Sequence, residues 1–210
     1  MELKQPRILV PVDFSEQSKE GIFQALHIAS HLNAHIFLLH IVKEHMPPWI
    51  FLTEDEKRKQ INSIKEALMG ETEKFETKNH PQITPVVAFG KLCDTILKQV
   101  DELQASLIVM GTTTAENIKK KIIGGNALRI VTESPVPVIT VKPGCATQTF
   151  DTIILPLDLS KETREKVSDT VQWARFFKSK VYAVSFSSTR DDAIVGHLKG
   201  QLRQVESFMR

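Results

Sequence analysis

The chain has 210 residues, of which 41% are hydrophobic and 25% charged, and its formal net charge is +2. This is the balance of an ordinary globular protein, and so little charge argues against dedicated nucleic-acid binding. No apolar run reaches the ~18 residues of a membrane span and no signal-type stretch follows Met1. Cys93 and Cys145 match no CxxC pattern, so a reducing cytoplasm is the expected compartment.

Ile8 to Val12 is a short apolar run ending in Pro11-Val12-Asp13, the pattern of a strand buried on both faces. Ser15 reads as an N-cap, and Ile22, Ala25, Leu26 and Ala29 give Gln17 to Leu32 a helical period. Asn33 ends that helix, and His35 to Val42 is a second buried strand. Lys43 to Leu52 is a loop broken by Pro47-Pro48. Thr53 and Glu56 form a capping box that opens a polar-faced helix to about Lys78. Ile83 to Phe89 is a third strand, Leu92 to Glu102 a helix, and Ser106 to Met110 a fourth strand. A polar loop comes next, then Gly124-Gly125-Asn126, a short helix through Ile130, and a fifth strand from Val138 to Val141. Strands alternating with helices predict a parallel α/β sheet.

The opening then recurs. Residues 152–186 align without a gap on residues 7–41, so that Pro11 meets Pro156, Asp13 meets Asp158, Ser15 meets Ser160, Glu20 meets Glu165 and Ala29 meets Ala174. A repeat of this length means two copies of one domain. The expected organisation is a complete domain over 1–143, a linker over 144–150 (PGCATQT begins at Pro143) and a partial second copy over 151–210. Two strands and two helices bury too little apolar surface to stand alone. The fragment is therefore expected to lean on the first copy or another chain, giving an oligomer, unless the natural chain continues beyond Arg210. Trp173, Phe176 and Phe177 are expected in its core.

Two segments carry the chemistry. Pro11-Val12-Asp13 ends the first strand, and Met110-Gly111 to Asn126 comes after the fourth. In a doubly wound sheet, ligands sit at the carboxyl ends of strands where the strand order reverses. An Asp there can accept hydrogen bonds from ribose hydroxyls, and glycines opening a helix let backbone N–H groups approach phosphates.

On these residues the chain resembles the universal stress protein family. ILVPVDFSE matches the family's opening strand, and VMGTTTAENIKKKIIGGNALRIVTESPVPVITVK matches its closing portion. The resemblance covers Pro6 to Lys142 and resumes from Thr152, as in a tandem member with a truncated second domain. It implies a doubly wound five-stranded sheet of order 3-2-1-4-5, nucleotide-binding-like and usually dimeric, a role in stress response, and ATP, with Mg alongside, as ligand. ATP-binding members carry G-x2-G-x9-G-[S/T]. Here Gly111 and Gly124 keep the spacing, but Thr114 stands at the second glycine and Gly125 at the hydroxyl position. The implied nucleotide-binding residues are Pro11, Val12, Asp13, Val42, Met110, Gly111, Thr112, Thr114, Gly124, Gly125 and Asn126, with Asp13 on the ribose, Val42 and Met110 around adenine, and the glycines and Asn126 on phosphates. The alternative is a nucleotide-free dimerising scaffold that keeps these residues for turns and packing. A slow ATP hydrolase is a third class, but no catalytic base is identifiable and no Walker A, HExxH or triad pattern occurs. No membrane or nucleic-acid partner is expected.

Other features read more plainly as structure. His27 and His31 share a helix face, as zinc ligands do, but Asn33-Ala34 breaks the helix before His35. His45 to Phe51 is apolar for a loop and could cover a ligand. Lys119-Lys120-Lys121 is more often a solvated face than an anion site.

Overall fold

Seven parallel strands form two sheets in the computed structural model, which describes residues 5–43, 51–73, 75, 81–112, 124–146, 149–157, 163–186 and 191–209. The chain divides into two compact units, Met1–Gln148 and Thr149–Arg210. In the first, the elements run β1 (Arg7–Pro11), α1 (Glu16–Leu32), β2 (His35–Val42), α2 (Glu54–Thr72), β3 (Ile83–Phe89), α3 (Leu92–Glu102), β4 (Leu107–Gly111), α4 (Gly125–Glu133) and β5 (Val138–Val141). The sheet order is β3-β2-β1-β4-β5, as the resemblance implied. The chain winds outward from β1 through β2 to β3, then returns to the other side of β1 for β4 and β5.

Side chains alternate between the faces of a strand, and each face has its own helices. Leu9, Phe37, Leu39, Ile108 and Met110 pack under Cys93, Ile96 and Val100 of α3 and Ala127 and Ile130 of α4. Ile8, Val10, Ile36 and Leu38 face the other side and are wholly buried. There α1 packs on β1 and β4, and α2 on β3. Local signals set the helix ends. Ser15 accepts from the Ser18 N–H at 3.2 Å, and the Thr53–Glu56 capping box closes in both directions. Asn33 takes the left-handed conformation at φ 49°, which lets the Ala34 N–H bond to the Ala29 carbonyl at 3.1 Å. The helix expected to reach Lys78 stops at Thr72 instead. The Phe75 N–H turns back to the Thr72 carbonyl, and its ring packs 5.3 Å from Phe23.

The second unit holds β6 (Thr152–Leu157), α5 (Thr163–Phe177), β7 (Lys180–Ser185) and α6 (Asp192–Met209). It repeats the first unit's opening at the level of single hydrogen bonds. The register Arg7↔His35 through Pro11↔Leu39 returns as Thr152↔Lys180 through Pro156↔Val184. His35 N–H to Pro6 carbonyl returns as Lys180 N–H to Asp151 carbonyl, at 2.9 and 2.8 Å. Left-handed Asn33 returns as Lys178 at φ 55°. Leu155, Leu157, Val167 and Val205 make its core, with Val171, Val181, Ala183 and Leu202 packed around them. The aromatic cluster is less central than expected. Trp173 stacks on Phe177 at 5.5 Å and both are half-buried, but Phe176 is exposed. It occupies the outward helical position that His31 holds in the first copy.

Candidate functional site

At the carboxyl ends of β1 and β4, where the winding reverses, lies a crevice of about 330 Å³. Pro11, Val12, Asp13, Met110, Gly111, Thr112, Gly124, Gly125 and Asn126 all line it. Sequence reasoning named each of these, and the parallel sheet brings them together because it puts all its carboxyl-end loops on one edge. Val42 is not on the wall; its carbonyl accepts the Gly90 N–H at 3.1 Å, and Ile41 lines the crevice in its vicinity. Thr114, Lys119–Lys121 and most of the His45–Phe51 run lie outside the described residues. Phe51 is described and is exposed.

Asp13 is held by the same serine that caps α1. Both the Ser15 N–H, at 3.1 Å, and the Ser15 hydroxyl donate to Asp13 Oδ1. Desolvation pushes the Asp13 carboxyl up, but the donors on Ser15, its backbone and Ser18 together outweigh it and leave the pKa below the ordinary value. The group is therefore an anion and a pure acceptor across the physiological range. Next to it, Phe14 sits at φ 64°. A bulky residue rarely adopts that conformation, and strain of this kind concentrates at functional sites. The turn places the Phe14 ring 5.0 Å from His40.

Gly111 answers a packing need. A Cβ there would stand 1.7 Å from the Gln17 carbonyl oxygen, because the first turn of α1 rests on the end of β4. Gly21, one turn on, would in turn push a Cβ to 2.8 Å from the Gly111 nitrogen. Thr112 is buried, and its hydroxyl donates to the Val141 carbonyl at 3.3 Å, so that oxygen serves the β4–β5 edge. Gly125 differs: among the described residues, nothing lies within 4 Å of where its Cβ would be.

The anion-attracting element is α4. The first bond inside it runs from the Leu128 N–H to the Gly124 carbonyl, and no side chain among the described residues caps its start. The N–H groups of Gly125, Asn126 and Ala127 thus precede the helical ladder at the positive end of the helix, on the crevice wall. Cys93 Sγ lies 3.8 Å from Asn126 Oδ1 and anchors that side chain.

His40 was missed by the sequence reading. It lines the crevice and its Nδ1 lies 2.8 Å from the Val12 carbonyl, which makes that nitrogen the donor and leaves Nε2 an acceptor in the neutral ring. One signal was available: a polar residue interrupts HIFLLHIV near the carboxyl end of a buried strand. The other histidines have separate tasks. His31 bonds the His27 carbonyl at 2.8 Å, His27 packs on Phe23, and His35 bonds Thr84 Oγ1 at 2.8 Å. Burial lowers the pKa of both His27 and His35, and the Arg7 guanidinium adds to the effect on His35. Among the described residues, no group of three His, Cys, Asp or Glu side chains is placed to hold a metal. Nor, among them, is any helix long and apolar enough to cross a membrane.

Asp13 and the start of α4 therefore line one crevice at the switch point of a doubly wound α/β sheet, the place where ligands sit in sheets of this class. Residues 6–142 match the model of the universal stress protein family, and the chain belongs to that family. Universal stress protein MJ0531 of Methanocaldococcus jannaschii is 26% identical over 141 residues, covering 65% of this chain and 81% of that protein. A universal stress protein structure from Archaeoglobus fulgidus superposes with a TM-score of 0.72 at 18% identity, over 97% of this chain and 76% of that one. A universal stress protein solved in complex with cAMP superposes with a TM-score of 0.51 at 18% identity, over 67% of this chain and 98% of the other.

Proposed function

We propose that the first unit binds an adenine nucleotide, ATP above all, in the crevice between β1 and β4, and that the protein works in the cytoplasm as a stress-response binding or regulatory protein. The observation that carries this is the pairing of Asp13 with the uncapped start of α4 across one cavity. An anionic carboxylate repels phosphate and accepts from hydroxyls, which suits a ribose. The N–H groups of Gly125, Asn126 and Ala127, which precede the helical ladder, suit the phosphates. Leu39, Ile41 and Met110 offer the apolar wall that a base needs. Binding of cAMP by a relative of the same fold agrees with this chemistry. Magnesium would enter with the phosphates. In this reading the second unit is a partial universal stress protein repeat, and the protein is a homo-oligomer.

A nucleotide-free dimerising scaffold is the second reading, and the packing at Gly111 is equally compatible with it. Gly111 is required by the Gln17 carbonyl whether or not a ligand binds, so its presence does not discriminate. Calorimetry on the full chain separates the two. ATP should bind, and Asp13→Ala should weaken it at least tenfold, the worth of a hydrogen bond to a charged group at about 1.5–3 kcal/mol. Absence of heat at millimolar ATP, with no nucleotide released on denaturing the purified protein, would decide for the scaffold.

A further inference from the structure

We infer that His40 is a positioning residue of the crevice: by taking the Val12 carbonyl, its ring ends the pairing of β1 with β2 and turns Asp13 out of the sheet onto the crevice wall. This role rests on the nucleotide reading for its ligand, but its geometry stands apart. The ladder between β1 and β2 runs to Pro11↔Leu39, and the Val12 N–H still reaches the Leu39 carbonyl at 2.8 Å. Val12 is buried, so its own carbonyl needs a partner inside the protein. The Nδ1–H of His40 supplies it at 2.8 Å. Asp13 comes directly after this bond, and then Phe14 at φ 64°, with its ring 5.0 Å from the imidazole. A bulky residue keeps such a conformation only where its surroundings hold it. His40 holds the turn from both sides, through the carbonyl before Asp13 and the ring after it. Ser15 then fixes the carboxylate itself through two bonds to Oδ1.

The second copy supplies an internal control. Leu157 and Ser185 stand where Val12 and His40 stand in the first. There the ladder continues one pair further, to Leu157↔Ser185. The Ser185 hydroxyl is buried and has no hydrogen-bond partner among the described residues. A serine is too short to take the carbonyl across the strand, so the strand stays paired where a histidine would release it.

Two measurements on the full chain test this: calorimetry with ATP, and a carbon NMR titration of the Asp13 carboxyl, which needs no ligand. His40→Phe keeps a ring and removes the donor. His40→Ser copies the second unit and covers a failure of His40→Phe to fold. Each should weaken ATP about fivefold, the worth of one ordinary hydrogen bond. Each should also raise the Asp13 pKa toward its ordinary value, because the turn that presents the carboxylate to Ser15 is released. His40→Asn puts an amide N–H where Nδ1 stands and should recover most of both losses. In an Asp13→Ala background, His40→Phe should cost no further affinity, since a residue acting through Asp13 has nothing left to position. A loss that adds in full to that of Asp13→Ala overturns the inference. So does an Asp13 titration that is the same in wild type and His40→Phe, or His40→Asn behaving like His40→Phe. If wild type binds no ATP, the nucleotide reading fails, and the titration still decides the role of His40.

Discussion

The two copies begin with the same local structure and end with different surfaces. β1 and β2 share their register with β6 and β7, their first helices end on a left-handed residue at the same position, and the same backbone bonds recur. One sheet is a five-stranded layer covered on both sides; the other is a two-stranded ribbon that, among the described residues of its own unit, is covered on one. The difference teaches that the strand–helix–strand module dictates its own geometry, while the fate of its outer face depends on helices contributed by later parts of the chain. Asp13 needs the end of β4 and the start of α4 opposite it, and among the described residues the second unit has no element corresponding to either.

The largest way to break this comparison is at Gly111. Gly111→Ala forces a Cβ against the Gln17 carbonyl, which is backbone and cannot rotate away. It should cost about 3 kcal/mol or more, read by urea unfolding with probes placed separately in each unit. Only the first unit should be affected. A sharper version uses matched truncations. Leu9→Ala should destabilise its unit by about 2–5 kcal/mol, whereas Ile154→Ala at the equivalent position should cost under ~1 kcal/mol in the monomer. Equal losses would show that the second face is covered after all.

At the crevice, Gly125→Ser should fold normally, because no described residue comes within 4 Å of the Cβ site, and should tighten ATP by supplying the hydroxyl that the family motif places there. Calorimetry beside wild type reads this, and weaker binding would place the phosphates elsewhere. Acid titration tests Asp13. Its pKa is lowered on folding, so its contribution to stability is full above the unfolded value of about 3.9 and is lost as pH falls through the lower folded value. Asp13→Asn should therefore flatten the loss of stability below about pH 4. The smallest effect concerns the helix ends. Lys178→Gly should stabilise the second unit by up to about 1 kcal/mol, and Asn33→Gly should gain less, because Asn already tolerates the left-handed conformation.

The range of each interaction decides how much of this was legible in the amino acids. The repeat, the order of elements, the Ser15 and Thr53 caps and the strand His35–Val42 are set by neighbours in sequence, and the amino acids alone determine them. Asp13 and the Gly124–Asn126 segment were also readable, because chain direction in a parallel sheet sends both loops to one edge. Tertiary structure decided the rest. It made Gly111 a contact with Gln17, turned the Thr112 hydroxyl toward Val141, put Ile41 and His40 on the wall and left Val42 off it. It also left Ile154, Tyr182 and Phe186 bare where Leu9 and Phe37 are buried. The physical reason is that burial belongs to a position's surroundings. The pattern along β6 and β7 says which residues share a face, but only helices from elsewhere in the chain, or another copy, can cover it.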